Sequence, residues 1–142
     1  MAACRPEITT SAVFHVPAEV LYRIFTDERD MARLTRSPAK FSATVDSEFA
    51  FFNNNIIGTV SALSPPHSIT LNWRFTSWSS DSTVVITFTS VDGTTCRISV
   101  RQSNIPATDR FGNVDQDRLC EVGWEEMWFG GLEHVLGLPR AK

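Results

Sequence analysis

The chain has 142 residues, of which 42% are apolar and 11% aromatic, which favours one domain with a sizeable core. Its net charge of −3 excludes the basic balance expected of a nucleic-acid-binding domain. No stretch approaches the roughly 18 consecutive apolar residues of a membrane-spanning helix, and the start lacks the pattern of a secretory signal. We therefore expect one domain over residues 1–142, with about 1–7 and 139–142 flexible, and neither a nucleic-acid nor a membrane partner.

The first third of the chain is predicted to form a strand followed by two short helices. Residues 8–16 are rich in Thr, Val and Phe, as in a strand. Pro17 suits the first turn of a helix, and PAEVLYRIFTDE places its apolar residues on one helical face. ERDMARLTR continues as a second short helix. That helix ends at Ser37-Pro38, because the residue before proline is pushed out of helical geometry.

After Pro38 the apolar residues alternate with a period of two, which predicts about six antiparallel strands. Asn53-Asn54-Asn55 indicates a turn, since asparagine tolerates left-handed backbone angles, and Asp92-Gly93 is a strong hairpin signal. Gly58 indicates a bend or a close approach within a strand. The candidate strands are 40–45, 48–52, 56–63, 68–75, 83–91 and a return strand through Cys96, Ile98 and Val100.

The last element is predicted to be one helix from about Leu119 to Leu136. At a rise of 1.5 Å per residue it would be roughly 27 Å long, enough to cross a sheet. Because the sheet has one apolar face that needs cover, we predict an α+β helix-grip fold. In it, a curved antiparallel sheet wraps on a long C-terminal helix, with two short helices after the first strand. The residues expected to be buried between sheet and helix are Trp73, Phe75, Ile86, Phe88, Trp124 and Trp128.

The sequence contains no arrangement typical of an enzyme or a metal centre. His15, His67 and His134 are far apart and lack metal-ligand spacing. Neither a G-x-S-x-G motif nor a phosphate-binding loop occurs, and no base accompanies a cysteine. We predict no catalytic residues, no metal or redox centre and no cofactor. The odd number of cysteines, Cys4, Cys96 and Cys120, favours a reduced, cytoplasmic setting.

The stretch NWRFTSW, residues 72–78, holds two of the four tryptophans. Trp73 shares the face of the apolar residues before it and is expected in the core, whereas Arg74 points to the other face. Trp78 follows the point where alternation stops, so it either folds back over the sheet edge or is exposed as a contact. Tryptophan and arginine dominate interface energetics, which makes Arg74 and Trp78 the candidate partner-binding residues.

Three stretches resemble one known family: GTVSALSPPHSITLNWRFTSW, TVVITFTSVDGTTCRISVRQSNIP and VGWEEMWFGGLEHVLG. They are similar to the C-terminal domain of activators of heat-shock protein 90 ATPase, within the START-related and Bet v 1-like helix-grip superfamily. The resemblance extends from about Val13 to Gly137. Its most specific features are the WRF-x-SW run, the Asp-Gly hairpin and the Gly123-Trp124 pair in the last helix.

The resemblance implies a co-chaperone role. In that family an N-terminal domain binds the chaperone's middle segment. The C-terminal domain contacts the dimerised N-terminal ATPase domains and favours their closed, hydrolysing state. The N-terminal domain and its Asn/Trp-rich motif are absent here, and the loop Ala107 to Arg118 is longer and more polar than the usual connection. We expect an excised domain or a single-domain relative, monomeric, that binds the N-terminal ATPase region and regulates the ATPase cycle.

Two alternatives belong to other functional classes. A helix-grip fold can carry a small apolar ligand in a cavity between sheet and helix. An enzyme of the same superfamily is the weakest alternative, because convergent titratable groups are lacking. The volume of that cavity distinguishes the carrier from the co-chaperone interaction module. A through-going pocket of several hundred Å³ favours the carrier, and a packed interior favours the interaction module.

Overall fold

The computed structural model describes residues 4–141, in which six antiparallel strands form one sheet in the order β1-β6-β5-β4-β3-β2. The helices pack on one face of this curved sheet, which confirms the predicted α+β helix-grip class. The elements in chain order are β1 (Ile8–Phe14), α1 (Ala18–Phe25), α2 (Glu28–Thr35), β2 (Glu48–Phe51), β3 (Ile56–Ser64), β4 (Ser68–Phe75), β5 (Ser82–Asp92), β6 (Thr95–Ser103), α3 (Gln116–Gly123), a π-helical segment (Trp124–Phe129) and α4 (Gly130–His134).

The central strands carry the alternation that the sequence predicts. Ile69 lies opposite Ile86, and Leu71 lies opposite Val84, in the ladder between β4 and β5. Directly opposed residues of an antiparallel pair share a face, so the two alternating patterns combine into one buried apolar surface. All four side chains are at most 3% exposed.

The predicted turn and close approach are both confirmed. Asn53 and Asn54 have φ angles of 54° and 68°, the left-handed region that asparagine tolerates. At Gly58 a Cβ atom would lie 1.8 Å from the carbonyl oxygen of Asn72 and 2.7 Å from Cζ of Phe49. The glycine therefore lets β3 approach β4 at a distance that no side chain permits.

The predicted strand over 40–45 is wrong. Lys40 forms a single antiparallel bridge with Ala50, and the chain then leaves the sheet. The amide of Phe41, which a continuing strand would pair, instead donates to the carboxylate of Glu28 at 2.9 Å. The side chain of Val45 is 48% exposed. The bridge still covers part of β2, which is an outer strand of the sheet and would otherwise present unpaired backbone groups.

The C-terminal residues cover the other outer strand, and the expected flexibility of 139–142 stays a prediction. The amide of Ala141 donates to the carbonyl of Val13 at 2.8 Å, and Arg140 bridges Phe14. The guanidinium of Arg140 lies 2.6 Å from a carboxylate oxygen of Glu125. Lys142 lies outside the described residues.

The N-terminal residues that the structure describes are also docked. Nε of Arg5 donates to Oδ2 of Asp117 at 2.8 Å, and its terminal nitrogens each donate to Glu121 at 3.1 Å. Asp117 is 4% exposed, and the hydrogen bond from Arg5 lowers the pKa of its carboxyl to about 2. Two helix carboxylates therefore bind the arginine, and the expected flexibility of residues 1–7 stays a prediction. Residues 1–3 lie outside the described range.

The long last helix is confirmed, but it starts earlier than predicted, ends earlier, and changes pitch in the middle. The three helical segments run without a break from Gln116 to His134, and we call them together the C-terminal helix. In the π segment the amide of Gly130 donates to the carbonyl of Glu125, a spacing of five residues. The wider turn buries Trp124, Trp128 and Phe129 together.

The predicted core is confirmed for five of its six members. Trp73, Ile86, Phe88, Trp124 and Trp128 are each at most 3% exposed. Phe75 is instead half-buried and packs against the core from its margin. The sheet and the C-terminal helix therefore meet through large aromatic side chains.

Candidate functional site

The four tryptophans converge at one end of the sheet. The rings of Trp73 and Trp124 are 6.2 Å apart between centroids, and those of Trp124 and Trp128 are 5.4 Å apart. Phe75 and Trp78 meet edge to face at 5.2 Å, with an interplanar angle of 88°. These are the edge-on and offset geometries that aromatic pairs prefer. We call these five residues the aromatic cluster.

Trp78 belongs to the core, so of the two predicted alternatives it folds back over the sheet and is not exposed as a contact. Its side chain is 1% exposed, and its Nε1 donates to Oε1 of Gln116 at 2.7 Å. The amide of Trp78 donates to the carbonyl of Phe75, a tight turn that folds the indole back over Trp73. Gln116 is itself buried at the start of α3. No local pattern in the sequence links these two residues.

Arg74 lies on the opposite, outer face of the sheet, so the two predicted site residues are not brought together. It lines a groove of about 430 Å³ with Lys40, Glu48 and Asp81 among its neighbours. Its Nε is 3.8 Å from Oδ1 of Asp81, a long and partly exposed ion pair. A pair of this kind contributes little to stability. The guanidinium is therefore accessible, and its role in partner binding stays a prediction.

A buried chain of hydrogen bonds ties the C-terminal helix to the sheet. Nε1 of Trp124 donates to Oε1 of Gln102 at 2.9 Å, and Nε2 of Gln102 donates to Oγ of Ser82 at 3.0 Å. The Ser82 hydroxyl donates to the carbonyl of Trp73 at 2.7 Å. Gln102 and Ser82 are at most 1% exposed. Because buried polar groups need hydrogen-bond partners, these bonds favour one position of the C-terminal helix on the sheet over shifted positions that would break them.

An apolar cleft of about 210 Å³ opens at the margin of the aromatic cluster. The space deeper between sheet and helix is only about 10 Å³, so the core itself is filled. We call the outer space the end cleft. It is lined by Phe52, Asn55, Ile56, Trp73, Phe75, Leu119, Cys120, Gly123, Trp124, Met127 and Trp128.

Among the residues that line the end cleft, Cys120 is the one with an ionisable side chain. Burial raises the pKa of the Cys120 thiol to about 12, so the thiol stays protonated and is a poor nucleophile. Among residues 4–141, no group of three or more His, Cys, Asp or Glu side chains is placed to hold a metal ion. The same part of the chain contains no helix with the length and apolarity needed to cross a membrane.

Solved structures superpose on most of the chain. An HSP90 activator from Plasmodium falciparum superposes with a TM-score of 0.93 at 29% identity, over 96% of this chain and 100% of that one. A structure of the Aha1 dimer from Colwellia psychrerythraea superposes with a TM-score of 0.72 at 16% identity, over 91% and 95% of the two chains. At that identity the second likeness shows the fold alone.

Comparison with curated proteins finds relatives named as activators of the 90 kDa heat shock protein ATPase. Activator of 90 kDa heat shock protein ATPase homolog 1 of Mus musculus is 28% identical over 133 residues, which are 92% of this chain and 37% of that protein. Homolog 2 of the same organism is 31% identical over 128 residues, 89% of this chain and 36% of that protein. The chain thus spans little more than a third of these relatives. Residues 15–137 match the family described as Activator of Hsp90 ATPase homolog 1-like protein, and the chain belongs to that family.

Proposed function

We propose that this chain is a cytoplasmic, monomeric co-chaperone domain that binds heat-shock protein 90 and regulates its ATPase cycle. The observation that carries the proposal is the likeness to the Plasmodium falciparum HSP90 activator, whose entire solved chain superposes on this one. Membership of the activator family over residues 15–137 supports it. The three cysteines are free, in keeping with a reducing compartment.

The proposed mechanism is preferential binding to one conformational state of the chaperone, rather than catalysis by this chain. A ligand shifts a conformational equilibrium only by its differential affinity for the two states. A domain that accelerates hydrolysis must therefore bind the closed, nucleotide-bound form of the N-terminal ATPase region more tightly than the open form. A filled aromatic core suits this role, because a rigid surface loses little entropy on binding.

Stimulation by these residues alone should be weak. The chain covers 37% of the mouse homolog 1, so whatever the remainder of that protein contributes is not supplied here. Linking two binding modules can raise apparent affinity by about 10²–10⁴-fold. Without such a link, we expect measurable binding but little acceleration at micromolar concentration.

The test is a titration of purified heat-shock protein 90 with this chain, with and without a non-hydrolysable ATP analogue. We expect tighter binding in the presence of the analogue, and equal affinity in both conditions would refute the mechanism. Arg74→Ala should weaken binding by about fivefold to tenfold if this residue is a contact. The matched control is Arg97→Ala, which removes an exposed arginine on β6, two strands away from β4 in the sheet.

A second candidate function, carriage of a small apolar ligand, is favoured by the end cleft. Its volume of about 210 Å³ suits a small molecule, and five of its lining residues are aromatic. The filled core below it argues against a larger ligand. Native mass spectrometry of the freshly purified chain should then reveal a bound mass, and Met127→Trp should remove it by filling the cleft. Val122→Trp is the control outside the cleft. A wild-type spectrum of the bare chain would reject this function.

A further inference from the structure

Exposed apolar side chains are concentrated in one stretch of the chain. Seven large apolar residues are exposed within residues 4–141, and five of them fall between 111 and 127. A monomer gains nothing by exposing such a group of side chains, and contiguous patches of this kind mark interaction sites. We call these five the 111–127 surface: Phe111 (77% exposed), Val114 (62%), Leu119 (52%), Val122 (47%) and Met127 (50%).

Four members of the 111–127 surface are linked by two concavities, and Phe111 lies in the loop whose residues Asp109 and Asn113 border the second one. Leu119 lines the end cleft together with Met127. The same leucine lines a shallower concavity with Val114 and Val122 on its other side. Three of its members lie on the exposed side of the C-terminal helix, next to the face that buries Cys120 and Trp124. Val114 and Phe111 belong to the loop that leads into this helix.

Phe111 is held in its exposed position by an ordered loop. The Asp109 carboxylate accepts the amides of Phe111 and Asn113 at 2.9 Å each, and the side-chain amide of Asn113 at 2.8 Å. The amide of Arg110 donates to the carbonyl of Ser77 at 2.8 Å, which anchors the loop to the turn before Trp78. An exposed aromatic ring on a preorganised loop costs little entropy to immobilise, as is typical of interface anchors.

Charge around the surface indicates the kind of partner. Residues 109–127 contain six carboxylates and two arginines, and Arg5 and Arg140 bind three of these carboxylates, which leaves a local net charge of −2. Asp115 and Glu126 are exposed and form no ion pair within residues 4–141. Arg118 is the cation that lines the shallow concavity. A second copy of this chain would bring two acidic surfaces together, which like-charge repulsion disfavours.

We propose that the 111–127 surface docks a protein segment that presents apolar side chains flanked by lysine or arginine. Phe111 and Leu119 supply the apolar contacts, and the surrounding carboxylates attract the basic flanks. In naming heat-shock protein 90 as the protein that carries this segment, the inference rests on the proposed function.

The first test compares surface variants by titration against purified heat-shock protein 90 with the non-hydrolysable ATP analogue. Phe111→Ala and Leu119→Ser should each raise the Kd at least tenfold, as expected for central interface anchors. Val91→Ser is the matched control, because Val91 is 58% exposed but lies outside the surface, and its Kd should stay within about twofold of wild type. Thermal melts of all three should remain close to wild type, since each side chain is exposed.

The second test uses the sign of the charge. Glu126→Lys should weaken binding about threefold and reduce its dependence on salt, whereas Arg118→Glu should tighten binding by a similar factor. Weaker binding by Arg118→Glu would overturn the assignment of a basic partner segment. If the wild-type chain binds but neither Phe111→Ala nor Leu119→Ser changes the Kd, the docking role of the 111–127 surface is overturned. The proposed function is not affected by that result. Absence of wild-type binding would overturn the proposed function, and the named partner with it.

Discussion

Trp78→Ala should destabilise the domain severely, because the structure makes Trp78 part of the core. Truncating a buried tryptophan to alanine typically costs about 3–5 kcal/mol in transfer and cavity terms. The change also removes the donor to Oε1 of Gln116. Gln116 is held in place by bonds from its Nε2 to the carbonyls of Asn113 and Val114, so its oxygen cannot turn elsewhere. A buried acceptor left without a donor costs about 1–3 kcal/mol more.

The combined loss is a large part of a domain's stability of about 5–15 kcal/mol. At roughly 3–5 °C per kcal/mol, the melting temperature should fall by about 12 °C or more. Trp78→Phe, which keeps a ring but removes the N–H, should lose about 1–3 kcal/mol in urea unfolding monitored by far-UV circular dichroism. Phe111→Ala is the control, because it removes an exposed aromatic side chain. If Trp78→Ala melts within about 2 °C of wild type, the buried position is refuted.

Four further variants or measurements test separate features. Trp124→Ala should cost about 3–5 kcal/mol and nearly unfold the domain, since it empties the helix–sheet contact; a melt like that of wild type would contradict helix-on-sheet packing. Gly58→Ala should reduce the yield of folded protein sharply, because its Cβ would lie 1.8 Å from a backbone oxygen; a normal yield would rule out that close approach. The pKa of Asp117 is lowered from 3.8 to about 2, so its stabilisation is present above pH 3.8 and lost as the pH falls towards 2. In urea unfolding between pH 3.8 and 2, the free energy of unfolding of Asp117→Asn should therefore fall less than that of wild type. Elemental analysis should find no stoichiometric zinc or iron, and finding either would contradict the prediction that the protein has no metal centre.

The sequence predicted best those features whose cause lies within a few residues. The alternation of Ile69, Leu71 and Trp73 identifies the buried face of β4, because residues that share a face are two positions apart along a strand. The asparagine turn and Gly58 were identified in the same way, from the backbone angles or space that those residue types permit. Each of these signals can be interpreted without knowing what packs against it.

The features missed depend on residues far apart in the chain. The acceptor for Trp78 is 38 residues away, and the carboxylate that binds Arg5 is 112 residues away. The false strand at 40–45 had the right alternation, but the Phe41 amide is bound by Glu28 from α2. The π segment was missed because its five-residue bonding differs little from α-helical spacing over six residues. Periodicity reports which face a residue occupies, and it does not report the partner.

The two candidate functions are physically linked, because Leu119 and Met127 line the end cleft and belong to the 111–127 surface. The core below the cleft is filled, so a molecule in the cleft would contact these side chains rather than sink beneath them. If such a ligand repositions either side chain, it changes the affinity for the docked partner, and the partner changes the affinity for the ligand by the same factor. A filled core therefore does more than exclude large ligands. It leaves the outward face of the C-terminal helix as the place where a small molecule and a protein partner would meet.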